Sequence, residues 1–114
     1  MNKKIAKLWI KALRSGKYKQ GIENLRLVSD HKAFCCLGVL CDIKLSQENK
    51  SEVDKNKWFK RNTEYLPMSV RKWAGMNTGD GVFSKGASLI ELNDDQNKSF
   101  KYIANVIEKK QESL

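Results

Sequence analysis

The sequence predicts a single α+β domain in which three or four helices and a small β-hairpin or short strands surround one core. Its 114 residues are the usual length of one domain. Apolar residues recur at helical spacing near both ends of the chain, and turn residues bound several short apolar runs between them. Hydrophobic residues make up 40% of the chain, enough for one modest core. We therefore interpret residues 1–114 as one domain.

The first helix is the most clearly defined element. Its apolar stripe is Ile5, Leu8, Trp9, Ala12 and Leu13. Gly16 follows the stripe and is typical of a helix C-terminus. After a loop over residues 16–24, the alternation in Leu25–Val28 predicts a short strand, and Ser29–Lys32 predicts a turn.

The middle of the chain contrasts an apolar run with a polar one. Residues 33–43 are apolar and could form either a buried strand that runs into a helix or a helix throughout. The spacing of Leu37, Leu40 and Cys41 favours a helix from about Cys35. Gly38 inside this helix costs about 1 kcal/mol relative to alanine, so we expect it to pack closely against another element. Residues 45–57 are polar without a period, which predicts a mobile surface loop.

A second clear helix is predicted between Pro67 and Gly75. Proline suits the first helical turn, and glycine suits the residue after the last one. Trp58 and Phe59, which precede this helix, are expected to return the chain to the core.

Short elements and a final helix complete the chain. Val82-Phe83 predicts a short strand that is followed by a turn, and Ser88–Glu91 matches a capping box at the start of a helical turn. Ser99 is the expected cap of the last helix. Residues 109–114 are expected to fray.

The positive charge is concentrated in the first third of the sequence. The net charge is +9, and residues 1–32 contain nine basic but only two acidic residues. Such an imbalance indicates a negatively charged partner, which could be a small anion, nucleic acid or an acidic protein surface. The alternative is a solvated, lysine-rich surface without a specific partner.

The sequence also indicates a compartment. No run approaches the ~20 apolar residues of a membrane span, and lysines interrupt the N-terminal apolar pattern, unlike a signal peptide. We therefore expect a cytoplasmic protein without membrane contact. Its three cysteines, Cys35, Cys36 and Cys41, fit reduced thiols better than a disulfide framework.

Three stretches resemble a group of small proteins of bacteriophages and prophages. They are Ala12–Gln20 (ALRSGKYKQ), Phe34–Asp42 (FCCLGVLCD) and Ser88–Asp94 (SLIELND). The resemblance implies a phage accessory protein that acts in the cytoplasm of the host bacterium. Small phage proteins of this kind often counter host defence, sometimes by sequestering cyclic nucleotide signals.

The basic and polar residues at the end of the first helix and in the segment that leaves it form the candidate ligand site. They are Lys11, Arg14, Ser15, Lys17, Tyr18, Gln20 and Arg26. Arginine offers a planar fork for phosphate, lysine a point charge, and tyrosine a ring for stacking or a hydroxyl donor. The alternative is a solvated helix exit whose basic side chains satisfy the last carbonyls, because a helix C-terminus is the wrong dipole end for an anion.

Catalytic and metal sites have weaker support in the sequence. His31 and the three cysteines lack the paired spacing of structural zinc sites, and a Cys/His nucleophile would depend on this single histidine. Asp42, Asp94 and Asp95 could act as carboxylate catalysts only if the fold brought them together. Residues 77–81 lack the phosphate-binding P-loop pattern. We expect no cofactor and no metal.

The leading hypothesis is therefore a non-catalytic binder, or sponge, of a nucleotide-type anionic signalling molecule that counters host antiviral defence. The alternatives are a nucleic-acid-binding protein, a protein–protein inhibitor of a host factor and an enzyme that acts on a nucleotide. The sponge hypothesis is compatible with a homo-oligomer, in which the 45–57 segment could contribute to the interface.

Overall fold

The computed structural model describes all 114 residues and confirms the α+β class, with more helices than expected. The six helices are α1 (Lys3–Arg14), α2 (Cys36–Gln47), α3 (Glu52–Arg61), α4 (Met68–Ala74), α5 (Leu89–Asp94) and α6 (Phe100–Lys110). The four strands are β1 (Lys19–Gln20), β2 (Ala33–Phe34), β3 (Val82–Ser84) and β4 (Ala87–Ser88). β1 and β2 form a parallel pair, and β3 and β4 form an antiparallel hairpin.

Helix α1 begins and ends as its local sequence dictates. The Asn2 side chain accepts a hydrogen bond from the Ile5 N–H at 3.1 Å, which caps the first turn. Gly16 follows the helix with φ of +76°, a conformation that favours glycine. Leu8 differs from the expected stripe, because it is 42% exposed while Ile10 is buried in its place.

Helix α2 crosses the segment around Leu25 with its backbone in direct contact. A Cβ atom on Gly38 would lie 1.7 Å from the Leu25 carbonyl oxygen, so the close packing expected at this glycine is confirmed. The strand expected over Leu25–Val28 is absent, since only Arg26 forms an isolated bridge, opposite Phe34. The Leu27 N–H donates to the Ala33 carbonyl at 2.9 Å and the Cys35 N–H donates to the Leu25 carbonyl at 3.2 Å, so the segment pairs with β2 through this one bridge only.

The loop expected over residues 45–57 is instead mostly helical. Helix α2 continues to Gln47, and α3 begins after Ser51, whose hydroxyl accepts a hydrogen bond from the α3 backbone. Acidic residues in the first turn of α3 and basic residues in its last turn complement the helix dipole. This helix buries only Phe59, so it has no apolar period for a sequence pattern to detect.

The caps predicted in the second half of the chain are present. Gly75 ends α4 with φ of +69°, and the hydroxyls of Ser88 and Ser99 cap α5 and α6. The terminal residues do not fray as expected. Leu114 is buried, and its carbonyl accepts a hydrogen bond from the Asn77 N–H at 2.6 Å.

The core lies between α1, α2 and α6. Helix α1 packs most extensively against α6, and Trp9 at its centre is fully buried. The Trp9 indole Nε1 donates a hydrogen bond to the Cys36 carbonyl at 2.9 Å, which fixes α1 against the start of α2. None of the helices has the length and apolar composition that crossing a membrane would require.

Candidate functional site

The structure distributes the seven predicted site residues over several depressions rather than one. Those residues are Lys11, Arg14, Ser15, Lys17, Tyr18, Gln20 and Arg26. Lys11, Arg14 and Ser15 line a groove beside α1, whereas Lys17, Tyr18 and Arg26 line a separate cleft beside α3. Gln20 lies with Arg14, Ser15 and Tyr18 around a third depression, near the start of α6.

Arg14 and Ser15 are engaged in contacts within the fold. Arg14 donates to the Asn105 side chain at 2.7 Å and forms an ion pair with Glu108 at 3.3 Å, which joins α1 to α6. The hydrogen bond and charge of Arg14 lower the pKa of the Glu108 carboxyl. The Ser15 hydroxyl donates to the Ala12 carbonyl at 2.6 Å. Both side chains therefore stabilise the C-terminal end of α1 through contacts within the fold.

The Gln20 side chain is hydrogen-bonded within the fold. Its side-chain amide donates to Asn93 Oδ1 at 2.9 Å and to the Lys98 carbonyl at 2.8 Å. Asn93 is buried, accepts from the Cys36 N–H and donates to the Gly21 carbonyl. This network joins β1 to the starts of α2 and α6, and it uses both N–H donors of the Gln20 side chain, so none is left for a ligand.

The cleft beside α3 has two adjoining lobes that share Arg26 and His31, and we call it the Arg26 cleft. One lobe, of about 310 Å³, is lined mainly by apolar atoms, from Leu27, Val28 and Phe59. The other, of about 230 Å³, is polar. Its remaining lining residues are Lys17, Tyr18, Lys32, Phe34, Asp42, Glu52 and Lys55. Across both lobes, five lysine or arginine side chains face two carboxylates, so the cleft is positively charged.

Arg26 lies at the junction of the two lobes. It is only 7% exposed, and its guanidinium carbon stands 4.7 Å from the centre of the Phe59 ring. Nη2 donates to the Asn56 side chain at 2.8 Å, but none of the four ion pairs of the fold includes Arg26. Burial lowers the pKa of the guanidinium, and the more distant charges of Glu52 and Asp42 oppose that shift. Arg26 therefore keeps donors that no carboxylate of the fold satisfies.

A polar network fixes the other side of the cleft. The Tyr18 hydroxyl donates to Asp42 Oδ2 at 2.6 Å, and Lys55 Nζ lies 3.0 Å from Asp42 Oδ1. Lys55 also donates to the Ser46 hydroxyl at 2.9 Å. Burial, and then the hydrogen bond to Asp42, raise the pKa of the Tyr18 phenol. Tyr18 therefore stays protonated at neutral pH and acts as a donor rather than a base.

Edge-to-face aromatic contacts form the base of the cleft. The ring centres of Tyr18 and Phe34 are 5.2 Å apart, and those of Phe34 and Phe59 are 5.7 Å apart. Trp58 packs on Phe59 with a separation of 5.0 Å. Phe59 is thus packed between Phe34 and Trp58 and presents its ring to the guanidinium of Arg26.

The cysteines contribute to the core rather than to the cleft. All three are buried free thiols. Burial raises the pKa of Cys35 to about 12, and its Sγ accepts a hydrogen bond from the Gly38 N–H at the start of α2. A thiol with this pKa is a weak nucleophile at neutral pH.

Several cleft residues were absent from the sequence-based site. Asn56, Phe59 and Lys60 come from α3, where their spacing of three and four residues places them on one face. His31 and Lys32 come from the turn before β2. The spacing along residues 56–60 was the available signal, but it has meaning only if the segment is helical.

Comparison with known proteins places the chain in a family. No curated protein and no solved structure matches it. The model of a family described as "Domain of unknown function (DUF8296)" matches residues 1–111. Since the match covers nearly the whole chain, this protein belongs to the DUF8296 family.

Proposed function

We propose that this protein binds a small phosphorylated ligand of the nucleotide type in the Arg26 cleft and holds it without chemical change. The observation that carries the proposal is Arg26 itself, a largely buried residue whose guanidinium reaches both lobes of the cleft without a carboxylate partner. Partial removal of a charge from water is costly unless an opposite charge or several hydrogen bonds compensate it. A phosphate in the cleft would supply both, through the bidentate geometry that arginine favours.

Basic residues around Arg26 support an anionic ligand. Lys17 and Lys32 are exposed at the polar lobe and belong to none of the ion pairs of the fold. Lys55 is paired with Asp42 and so contributes less free charge. Two free lysines and one arginine fit a phosphate group that carries one or two negative charges.

The apolar lobe favours a nucleotide as the ligand rather than phosphate alone. Leu27, Val28 and Phe59 form an apolar surface next to the cationic lobe, with Asn56 at its edge. A nucleotide has the same division into an anionic phosphate and a flat base, which combines apolar faces with hydrogen-bonding edges. The resemblance to phage proteins makes cyclic nucleotides the first ligands to test, in line with a sponge that counters host defence.

Calorimetric titration with cyclic nucleotides, linear nucleotides and inorganic phosphate tests the proposal. We expect at least one nucleotide to bind more tightly than phosphate and to be recovered unchanged in mass. Replacing Arg26→Gln should weaken that binding by about tenfold to a hundredfold, because a hydrogen bond to a charged group contributes about 1.5–3 kcal/mol.

Arg61→Gln is the matched control, since Arg61 is an exposed arginine of α3 outside the cleft lining. It removes the same charge and should leave the affinity nearly unchanged. Absence of nucleotide binding by a folded wild-type protein would refute the proposal. Equal losses in both variants would assign the effect to net charge instead of the cleft.

A further inference from the structure

Helix α1 presents a second basic surface that shares no residue with the Arg26 cleft. We call it the basic face, and its members are Lys3, Lys4, Lys7, Lys11 and Arg14. At about 100° per residue, these five positions fall within an arc of about 100° on the side opposite the buried stripe. The helix contains no acidic residue.

The arrangement of the basic face opposes the stability of its own helix. Lys3 and Lys4 occupy the first turn, where the positive end of the helix dipole disfavours cations. Lys7 follows Lys3 by four residues and precedes Lys11 by four, a spacing at which like charges repel. Charges placed at a cost to folding are typical of a functional surface.

The surroundings leave the lysines of the basic face free. A groove of about 830 Å³ runs beside them, between α1 and the end of α6. The one carboxylate that lines this groove, Glu108, is already paired with Arg14. The four lysines of the face are exposed, and none takes part in an ion pair of the fold.

We propose that the basic face binds the phosphodiester backbone of nucleic acid. Lys3, Lys7 and Lys11 form a row about 12 Å long, over which duplex DNA presents about seven phosphate charges. Lysine suits phosphate contacts but is depleted at protein–protein interfaces, where aromatic anchors are typical. The groove beside the row has a single hydrophobic lining residue, Ile10, and no aromatic one, so it lacks the aromatic anchors that are typical of protein–protein interfaces.

Fluorescence anisotropy with a labelled duplex of mixed sequence tests this proposal at salt concentrations between about 50 and 200 mM. We expect binding that weakens steeply with salt. The variant K3Q/K7Q/K11Q should bind at least about tenfold more weakly at the lowest salt. The slope of log affinity against log salt should fall by about 2–3, since each lost phosphate contact removes about 0.9.

The control variant K50Q/K72Q/K85Q removes three exposed lysines that neither belong to the basic face nor line its groove, and its net charge equals that of K3Q/K7Q/K11Q. It should retain most of the affinity and of the salt slope, and Arg26→Gln should retain them fully. No binding at the lowest salt, or equal losses in both triple variants, would overturn the proposal. Equally tight binding of poly-glutamate would overturn it in favour of an acidic protein partner.

Discussion

Gly38 determines how closely α2 approaches the segment before β2. A Cβ atom at this position would lie 1.7 Å from the Leu25 carbonyl oxygen, 2.5 Å from its carbonyl carbon and 3.0 Å from its Cα. All three are backbone atoms, which cannot move aside as a flexible side chain can. Because Arg26 directly follows Leu25, this contact also fixes the backbone position of Arg26. The close packing at Gly38 therefore helps to position the Arg26 cleft.

Gly38→Ala should therefore destabilise the protein strongly. Alanine favours a helix by about 1 kcal/mol relative to glycine, but overlap with a fixed backbone costs more than this gain. We expect a net loss of about 3 kcal/mol or more in the free energy of unfolding. The shift of the urea midpoint measures it.

Gly86→Ala is the control that separates the cost of a steric overlap from the cost of an unfavourable backbone conformation. Gly86 has φ of +74°, and nothing lies within 4 Å of the site of its Cβ. Its replacement should cost only the conformational penalty of about 1 kcal/mol. If Gly38→Ala cost no more than Gly86→Ala, the close contact with Leu25 would not be a determinant of stability.

At the scale of secondary-structure elements, α3 depends on polar contacts more than any other long helix. It buries only Phe59, and its polar side-chain contacts with other segments are the Lys55–Asp42 ion pair and the hydrogen bonds from Lys55 to Ser46 and from Arg26 to Asn56. Helices α1 and α6 each bury four or more residues. Elements with few buried apolar contacts open at low free-energy cost.

We expect amide hydrogens of α3 to exchange faster than those of α1, α2 and α6. Asp42→Asn should accelerate exchange in α3 further, by about tenfold, because it removes the attraction to Lys55, which is largely shielded from water. Hydrogen exchange followed by NMR or mass spectrometry measures both effects.

Glu48→Gln is the control for this experiment, since it removes the more exposed pair with Lys44. It should leave α3 nearly unchanged. A nucleotide bound in the Arg26 cleft should slow exchange in α3, which forms one wall. Equal protection of α3 and α1 would contradict this account of the fold.

Helix ends were predictable from the sequence where local chemistry decides them. Gly75, Ser88 and Ser99 act as expected, because a left-handed glycine or a capping hydroxyl needs only its neighbours. Helix α3 was missed, because caps and contacts with distant segments stabilise it rather than an apolar period. The cleft was only partly predictable for the same reason, as Lys17, Tyr18 and Arg26 were named while the residues of α3 were not.

At the scale of the whole molecule, the positive charge forms two surfaces with different properties. The Arg26 cleft is concave, has an aromatic base and contains an arginine that is largely buried. The basic face of α1 is exposed and mostly composed of lysine. A concave, fixed site suits one small ligand, whereas an open row of flexible charges suits a polymer. The two proposals therefore concern different parts of the positive charge.

A protein with a net charge of +9 should gain stability when salt screens its self-repulsion. The basic face concentrates this repulsion, so K3Q/K7Q/K11Q should be more stable than the wild type at low salt. Relief of like-charge pairs and of the dipole conflict totals about 1 kcal/mol, which raises Tm by about 4 °C. Thermal unfolding followed by circular dichroism should show this difference in Tm shrinking at about 1 M salt, where charges are screened within about 3 Å.

The control variant K50Q/K72Q/K85Q should gain less stability, because its lysines are dispersed over the sequence. If K3Q/K7Q/K11Q were no more stable than the wild type at low salt, these lysines would not oppose folding, and no cost in stability would indicate that they are retained for a function.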